Sequence, residues 1–271
     1  MNVIKFEVKR LFKSCLIWSL VCGALIILFM AFFPSMRDSG IQELVSTKLG
    51  AFPEGMLEAF GLDDMVDFTD IMQYQAYVIQ YIAMAAAIYG AILGVNALLE
   101  EESEGTIEFL YAQPIKRSQI VIYKALSRAF IFYIFVIIVG IITMGISAVF
   151  KPEDLDIMTL LMDIKNVFIG MSFVGFIFFG IGMLLSSILK PSYNSTAISI
   201  GVFFITYLFG VLSKMKDNLE FLRYLSPSDY AFPMDIVRHG WNTSYIITGI
   251  GIIIISITGA FIVYNKKDMR I

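Results

Sequence analysis

Residues 76–99 read AYVIQYIAMAAAIYGAILGVNALL, 24 positions without a single Asp, Glu, Lys, Arg or His. At about 1.5 Å per residue, a helix of that length crosses a hydrocarbon core of roughly 30 Å. A charge at the centre of such a helix costs about 2.5 to 3.5 kcal/mol on the insertion scale, so its exclusion marks lipid or dry protein on every side. Barrel strands alternate and run only about 10 residues, which leaves the helix as the reading.

Five further runs share the property: Leu16–Phe33, Ala129–Phe150, Val167–Leu189, Ser195–Ser213 and Tyr245–Tyr264. Across 271 residues the chain is 58% hydrophobic and 16% charged, with a mean hydropathy of +0.78. The expected fold is an all-α integral membrane protein, with residues 1–271 forming one domain of six transmembrane helices. Cys15 and Cys22 lie seven apart on the first helix, where they read as small apolar fillers.

Six spans put both termini on one side, and the cations say which. The two ends of the chain, the segment 100–128 and the turn at Lys190 hold 12 Lys and Arg, against 8 in the longer loops opposite. By the positive-inside rule both termini are cytoplasmic. Residues 1–13 place Ile4, Val8, Leu11 and Phe12 on one face and Lys5, Lys9 and Lys13 at four-residue spacing, which predicts an interfacial helix ahead of the first span. That first apolar run lacks a small-residue cleavage pattern and is read as a retained span.

Within the second span, Ala86, Gly90 and Gly94 recur every four residues, a stripe that lets another helix approach closely. Asn96 is the amide deepest in that helix, suited to a helix–helix hydrogen bond. The external acids Asp63, Asp64, Asp67 and Asp70 lack calcium-loop spacing and read as a solvated loop. Between the fifth and sixth spans, Lys214–Thr243 reads as short external helices broken by Pro227 and Pro233, with Tyr224, Tyr230, Phe232 and Trp241 at headgroup level. His239 is the single histidine and has no Cys or His partner for a metal, so no metal site is expected.

The spans offer hydroxyls with no base beside them, which argues against an intramembrane enzyme. No G-x-x-x-x-G-K-[ST] occurs, and Gly is never followed by Lys, so any ATP-driven motor lies on another polypeptide. Hydroxyls and backbone carbonyls at broken helices leave an ion-coupled secondary carrier or channel as the alternative.

Directly after the second span stands EEESEGTIEFLYAQPIKRSQIVIYK, Glu100 to Lys124. Here Thr106 is placed to cap a short helix whose Ile107, Leu110 and Tyr111 form one apolar edge, with Glu104 and Glu108 turned away and Pro114 as its stop. Ser118 is placed to start the next helix. The layout is a peg between two membrane helices, shaped for a groove on another protein. A charged loop lying on the headgroups is the competing reading of the same residues.

This stretch resembles the signature of the ATP-binding-cassette type-2 exporter permeases, E-E-x-x-x-G-T followed by hydrophobic and acidic positions, a proline and an arginine. YLSPSDYAFP, residues 224–233, is similar to their segment before the last span, and YNKKDM, residues 264–269, to their common ending. The resemblance covers the whole chain and implies a non-catalytic permease subunit of an exporter in a bacterial cell membrane. It implies a cytoplasmic coupling helix that contacts the ATP-binding subunit through Gly105, Thr106, Ile107, Glu108, Leu110, Tyr111 and Pro114. Two permease copies would work with two such subunits among membrane lipids. ATP and Mg would lie in the partner, no cofactor in this chain, and nucleic acid would play no part. By the same resemblance the second and fifth spans line the route, through Gln80, Tyr89, Asn96, Thr206 and Tyr207. The first external loop, 34–75, is neither a minimal turn nor a large ectodomain, which disfavours a glycan, and the apolar, Phe- and Met-rich spans suit an amphipathic cargo (peptide, antibiotic or lipid-like).

Overall fold

A helix satisfies its own backbone hydrogen bonds, so a charge-free run in lipid has no reason to break. The computed structural model, which describes residues 2–37, 47, 57, 62, 66–106, 116–153, 155–190, 193–215 and 217–267, is helical throughout its regular structure. In chain order the helices are α1 Asn2–Ala31, α2 Phe33–Met36, α3 Ile71–Ser103, α4 Arg117–Phe150, α5 Ile157–Ile188, α6 Ser195–Met215, α7 Pro233–His239 and α8 Thr243–Lys266. Two 3₁₀ runs, Asp217–Leu225 and Pro227–Ala231, lie between α6 and α7. The six helices α1, α3, α4, α5, α6 and α8 are long and apolar enough to span a membrane. We call the end that gathers the start of α1 and the end of α8 basal, and the other end apical.

Helices α3 and α5 form the centre, where they pack backbone to backbone. A Cβ on Gly90 would lie 2.5 Å from the Gly175 carbonyl oxygen, and one on Gly182 would lie 2.7 Å from that of Ala91. At Gly94 a Cβ would stand 2.9 Å from Gly182 Cα and closer still to the Phe179 oxygen. The small residues of both helices therefore set the interhelix distance. Ala86, one turn before Gly90, is fully buried.

On another side of α3, Tyr89 stacks on Trp18 of α1 with ring centroids 5.1 Å apart and meets Phe135 of α4 edge-on. Cys15 and Cys22 are buried and free, and the Cys15 thiol donates to the Ile131 carbonyl of α4 at 3.6 Å. Gln75 of α3 donates to Ser147 of α4 at 2.5 Å.

One expectation changes. The basic segment 1–13 is not a separate element: α1 runs unbroken from residue 2 to residue 31. Nothing in it breaks a helix, since Pro is absent and Gly23 is already the eighth residue of the span. At the apical end the short helices break where Pro227 and Pro233 fall, each proline standing in the first turn of the helix that follows the break. Tyr230 is buried within the protein, stacked on Tyr245 at 5.3 Å and 6°.

Of the external acids, Asp63 and Asp64 lie outside the described residues. Asp67 accepts from the Thr69 amide at 2.8 Å. Asp70 caps α3 by accepting from the Met72 amide at 2.9 Å. Each carboxylate is used by its own turn, as short Asp motifs commonly are.

Candidate functional site

At about 1.5 Å per residue, α3 and α4 are each about 50 Å long, well beyond a hydrocarbon core of about 30 Å. The excess lies largely at the basal end, where the last turn of α3 is Glu100, Glu101, Glu102 and Ser103. Carboxylates at a helix C-terminus oppose the macrodipole and repel one another. The helix persists there because cations come to it from other elements.

Three basic side chains do this. Arg10 of α1 reaches Glu100 at 2.5 Å and Glu7 of its own helix at 3.1 Å. Lys124 and Arg128, one turn apart on α4, pair with Glu101 and Glu100 respectively. Glu7 faces both as well, at 3.5 Å from Lys124 and 3.4 Å from Arg128. The core of the knot is thus three carboxylates, Glu7, Glu100 and Glu101, against three cations. Glu7, Lys124 and Arg128 each expose 2% or less of their side chains. Arg128 also donates to the Leu93 carbonyl at 3.2 Å, two turns inside α3. Glu104 lies at the rim, 3.8 Å from Arg10.

A second clip holds the end of α8. Lys267 pairs with Glu102 at 2.9 Å, and its carbonyl accepts from Arg117 at 2.9 Å. The Lys267 ammonium also donates to the Leu189 carbonyl just past α5, at 3.4 Å. The basal ends of α1, α3, α4, α5 and α8 are therefore tied through α3's acidic turn and the start of α4, the two elements from which the 106–116 segment springs.

The stop of α3 is made by Gly105. With φ at +68° it takes the left-handed conformation that a side chain resists. The Thr106 amide then donates back to the Glu101 carbonyl at 2.9 Å, and the Glu104 amide to Glu100 at 2.9 Å, which closes the helix end. On the far side of the segment, Gln119 accepts from the Lys116 amide at 3.0 Å as α4 begins. Gly105 and Thr106 thus form the exit turn; Ile107, Glu108, Leu110, Tyr111 and Pro114 lie outside the described residues.

The residues expected along a route do not come together as one set. Gln80 and Tyr207 line a common small cavity near the apical end. Tyr89 faces away from it, walled by α1 and α4. The Thr206 hydroxyl is turned to its own helix, donating to Val202 and Phe203 carbonyls. Asn96 is half-buried near the basal end of α3.

Sequence reasoning singled out none of Glu7, Arg10, Glu100, Glu101, Lys124 and Arg128 as site residues. Two signals were present: Glu7 is the lone acid among the basic residues of α1, and Lys124 and Arg128 recur at helical spacing opposite the glutamates.

A bundle of six helices able to span a membrane, with ion-paired roots for one basal loop and a cap of short helices at the apex, describes a polytopic membrane protein. The chain belongs to the ABC-2 family of transporter proteins, whose family model matches residues 1–269. It is accordingly the permease subunit of an ABC transporter, a multi-pass membrane protein. Subunits of this family are generally non-catalytic and imply an ATP-binding cassette partner. No curated protein matches the chain.

Proposed function

We propose that the chain is the membrane half of an ATP-driven exporter, moving an amphipathic cargo across a bacterial cell membrane in a unit of two permeases and two ATP-binding subunits. The partner's groove receives Gly105 to Pro114 on the cytoplasmic face, with Thr106, Ile107, Glu108, Leu110 and Tyr111 as the contacts. The observation that carries this reading is the knot of ion pairs at the loop's two roots. A loop lying passively on headgroups has no need to anchor both ends in buried charge. Held this way, a push on the loop moves the basal ends of α1, α3 and α4 as one body, and such a two-state element is what transmits ATP binding to a transport path.

The test is co-expression with a candidate ATP-binding-cassette subunit, purification through a tag on the permease, and measurement of stoichiometry and ATP turnover in lipid nanodiscs. Equal amounts of the two proteins are expected. Leu110→Glu with Tyr111→Ala should abolish association or stimulated turnover and leave the permease melting temperature unchanged. Full association and turnover in that double variant refutes the coupling assignment. Transport by the purified permease alone, driven by an ion gradient, would establish the carrier alternative in its place.

A further inference from the structure

The apical end holds a buried acid of which one oxygen is paired and the other is not. Asp229, in the second 3₁₀ run, exposes 7% of its side chain. Its Oδ2 accepts no hydrogen bond among the described residues. A buried carboxylate oxygen without a donor is costly, so its retention points to a purpose beyond packing. Its place is made by Gly210 of α6, where any Cβ would drive into Asp229 Oδ2 and stand 2.5 Å from Ser226 Oγ.

Two cavities meet at this residue. The inner one, about 20 Å³, lies between α3, α5 and α6 and is lined by Gln80, Met84, Phe203 and Tyr207 among others, with Asp229 as the one formal charge in its wall among the described residues. The other, about 380 Å³, opens among α6, the cap and the start of α8. Asp229, Ala231 and Phe232 belong to both linings, so they form the partition.

The occupant that suits this partition is already imitated by the protein. The Lys214 ammonium sits 3.4 Å from Asp229 Oδ1 and 4.6 Å from the centroid of the Phe232 ring. A cation held between a carboxylate and an aromatic face is the geometry that recognises organic amines. On the inner side, Phe203 and Tyr207, stacked 5.9 Å apart, offer a second aromatic surface. We infer that Asp229 with Phe232 is a binding site for a cationic amphipath, and that Lys214 is the built-in competitor that closes the partition when the site is empty. Deepening the exporter reading, and resting on it only for the fate of the bound molecule, this makes the cargo class an apolar body bearing a positive charge.

The test is binding of tetraphenylphosphonium, and of the anionic tetraphenylborate of like size, to the full chain in nanodiscs, with empty nanodiscs subtracted. Tetraphenylphosphonium should bind saturably and tetraphenylborate should not. Asp229→Asn should weaken the cation about tenfold or more, and Lys214→Met should tighten it about tenfold, each the equivalent of losing or gaining one close charge contact. The Lys214→Met arm predicts a gain, which a misfolded protein cannot supply. Equal binding of the two ions, indifference to Asp229→Asn, or no gain in Lys214→Met overturns the inference. Association with the ATP-binding subunit is measured on the same preparations. Association retained without an Asp229-dependent cation site sinks this inference alone, whereas association lost with the cation site intact sinks the exporter reading.

Discussion

Glu7→Gln isolates what the basal knot contributes. The carboxylate of Glu7 is 2% exposed and faces Arg10 at 3.1 Å, Arg128 at 3.4 Å and Lys124 at 3.5 Å. At an effective dielectric of about 20, each of those contacts corresponds to roughly 5 kcal/mol of gross attraction. Desolvation of the ions offsets most of that sum, and breaking a buried pair from one side leaves a net loss of about 3 to 5 kcal/mol. The loss arises because three cations would then face only Glu100 and Glu101 in the core of the knot, with Glu104 at its rim. For a chain of this size 1 kcal/mol shifts a melting temperature by about 2 to 4 °C, so a fall of roughly 6 to 20 °C is expected in nanodiscs. Removing one cation as well restores the balance. Glu7→Gln with Lys124→Met should recover much of the loss, giving a coupling energy of about 2 to 3 kcal/mol in the double-mutant cycle. The assay is thermal unfolding of the four proteins in the same lipid, with ATP turnover alongside. A single variant within about 0.5 kcal/mol of wild type, or a double variant that merely sums the two losses, refutes the reasoning.

Gly94→Ala puts a methyl group against the Phe179 oxygen and the Gly182 backbone. Because backbone cannot swing aside, α3 and α5 must separate, at a cost of about 1 to 3 kcal/mol that thermal unfolding will register. Tyr74→Phe removes a 2.6 Å hydrogen bond from the ring hydroxyl to the Phe29 carbonyl, which joins the apical ends of α3 and α1. It should cost about 1 kcal/mol by the same measurement and leave association with the ATP-binding subunit unchanged.

Six spans could be read from residue order alone, because membrane insertion is a local test: a run of about 20 uncharged residues satisfies it whatever its neighbours do. The element ends carried local signals too, in Gly105 after the glutamates and Asp70 before α3. Sequence also singled out Ala86, Gly90 and Gly94, since small residues at four-residue spacing share a helix face. It did not name the opposing face, and Gly175, Phe179 and Gly182 emerged only when α3 met α5.

The charges divide in the same way. On the sequence, Glu7, Arg10, Lys124 and Arg128 are flanking residues of the kind that fix topology, and the glutamates belong to an exposed loop. Whether such charges are solvated or locked together depends on distances between segments up to 121 positions apart, from Glu7 to Arg128. Periodicity within one helix does not encode those distances. Asp229 is the same case at the other end, one of several acids in acidic loops until Gly210, Lys214 and Phe232 enclose it. Local composition therefore determined that six helices are long and apolar enough to cross a membrane. Tertiary packing alone decided which charges are buried, because burial and pairing are properties of the assembled bundle.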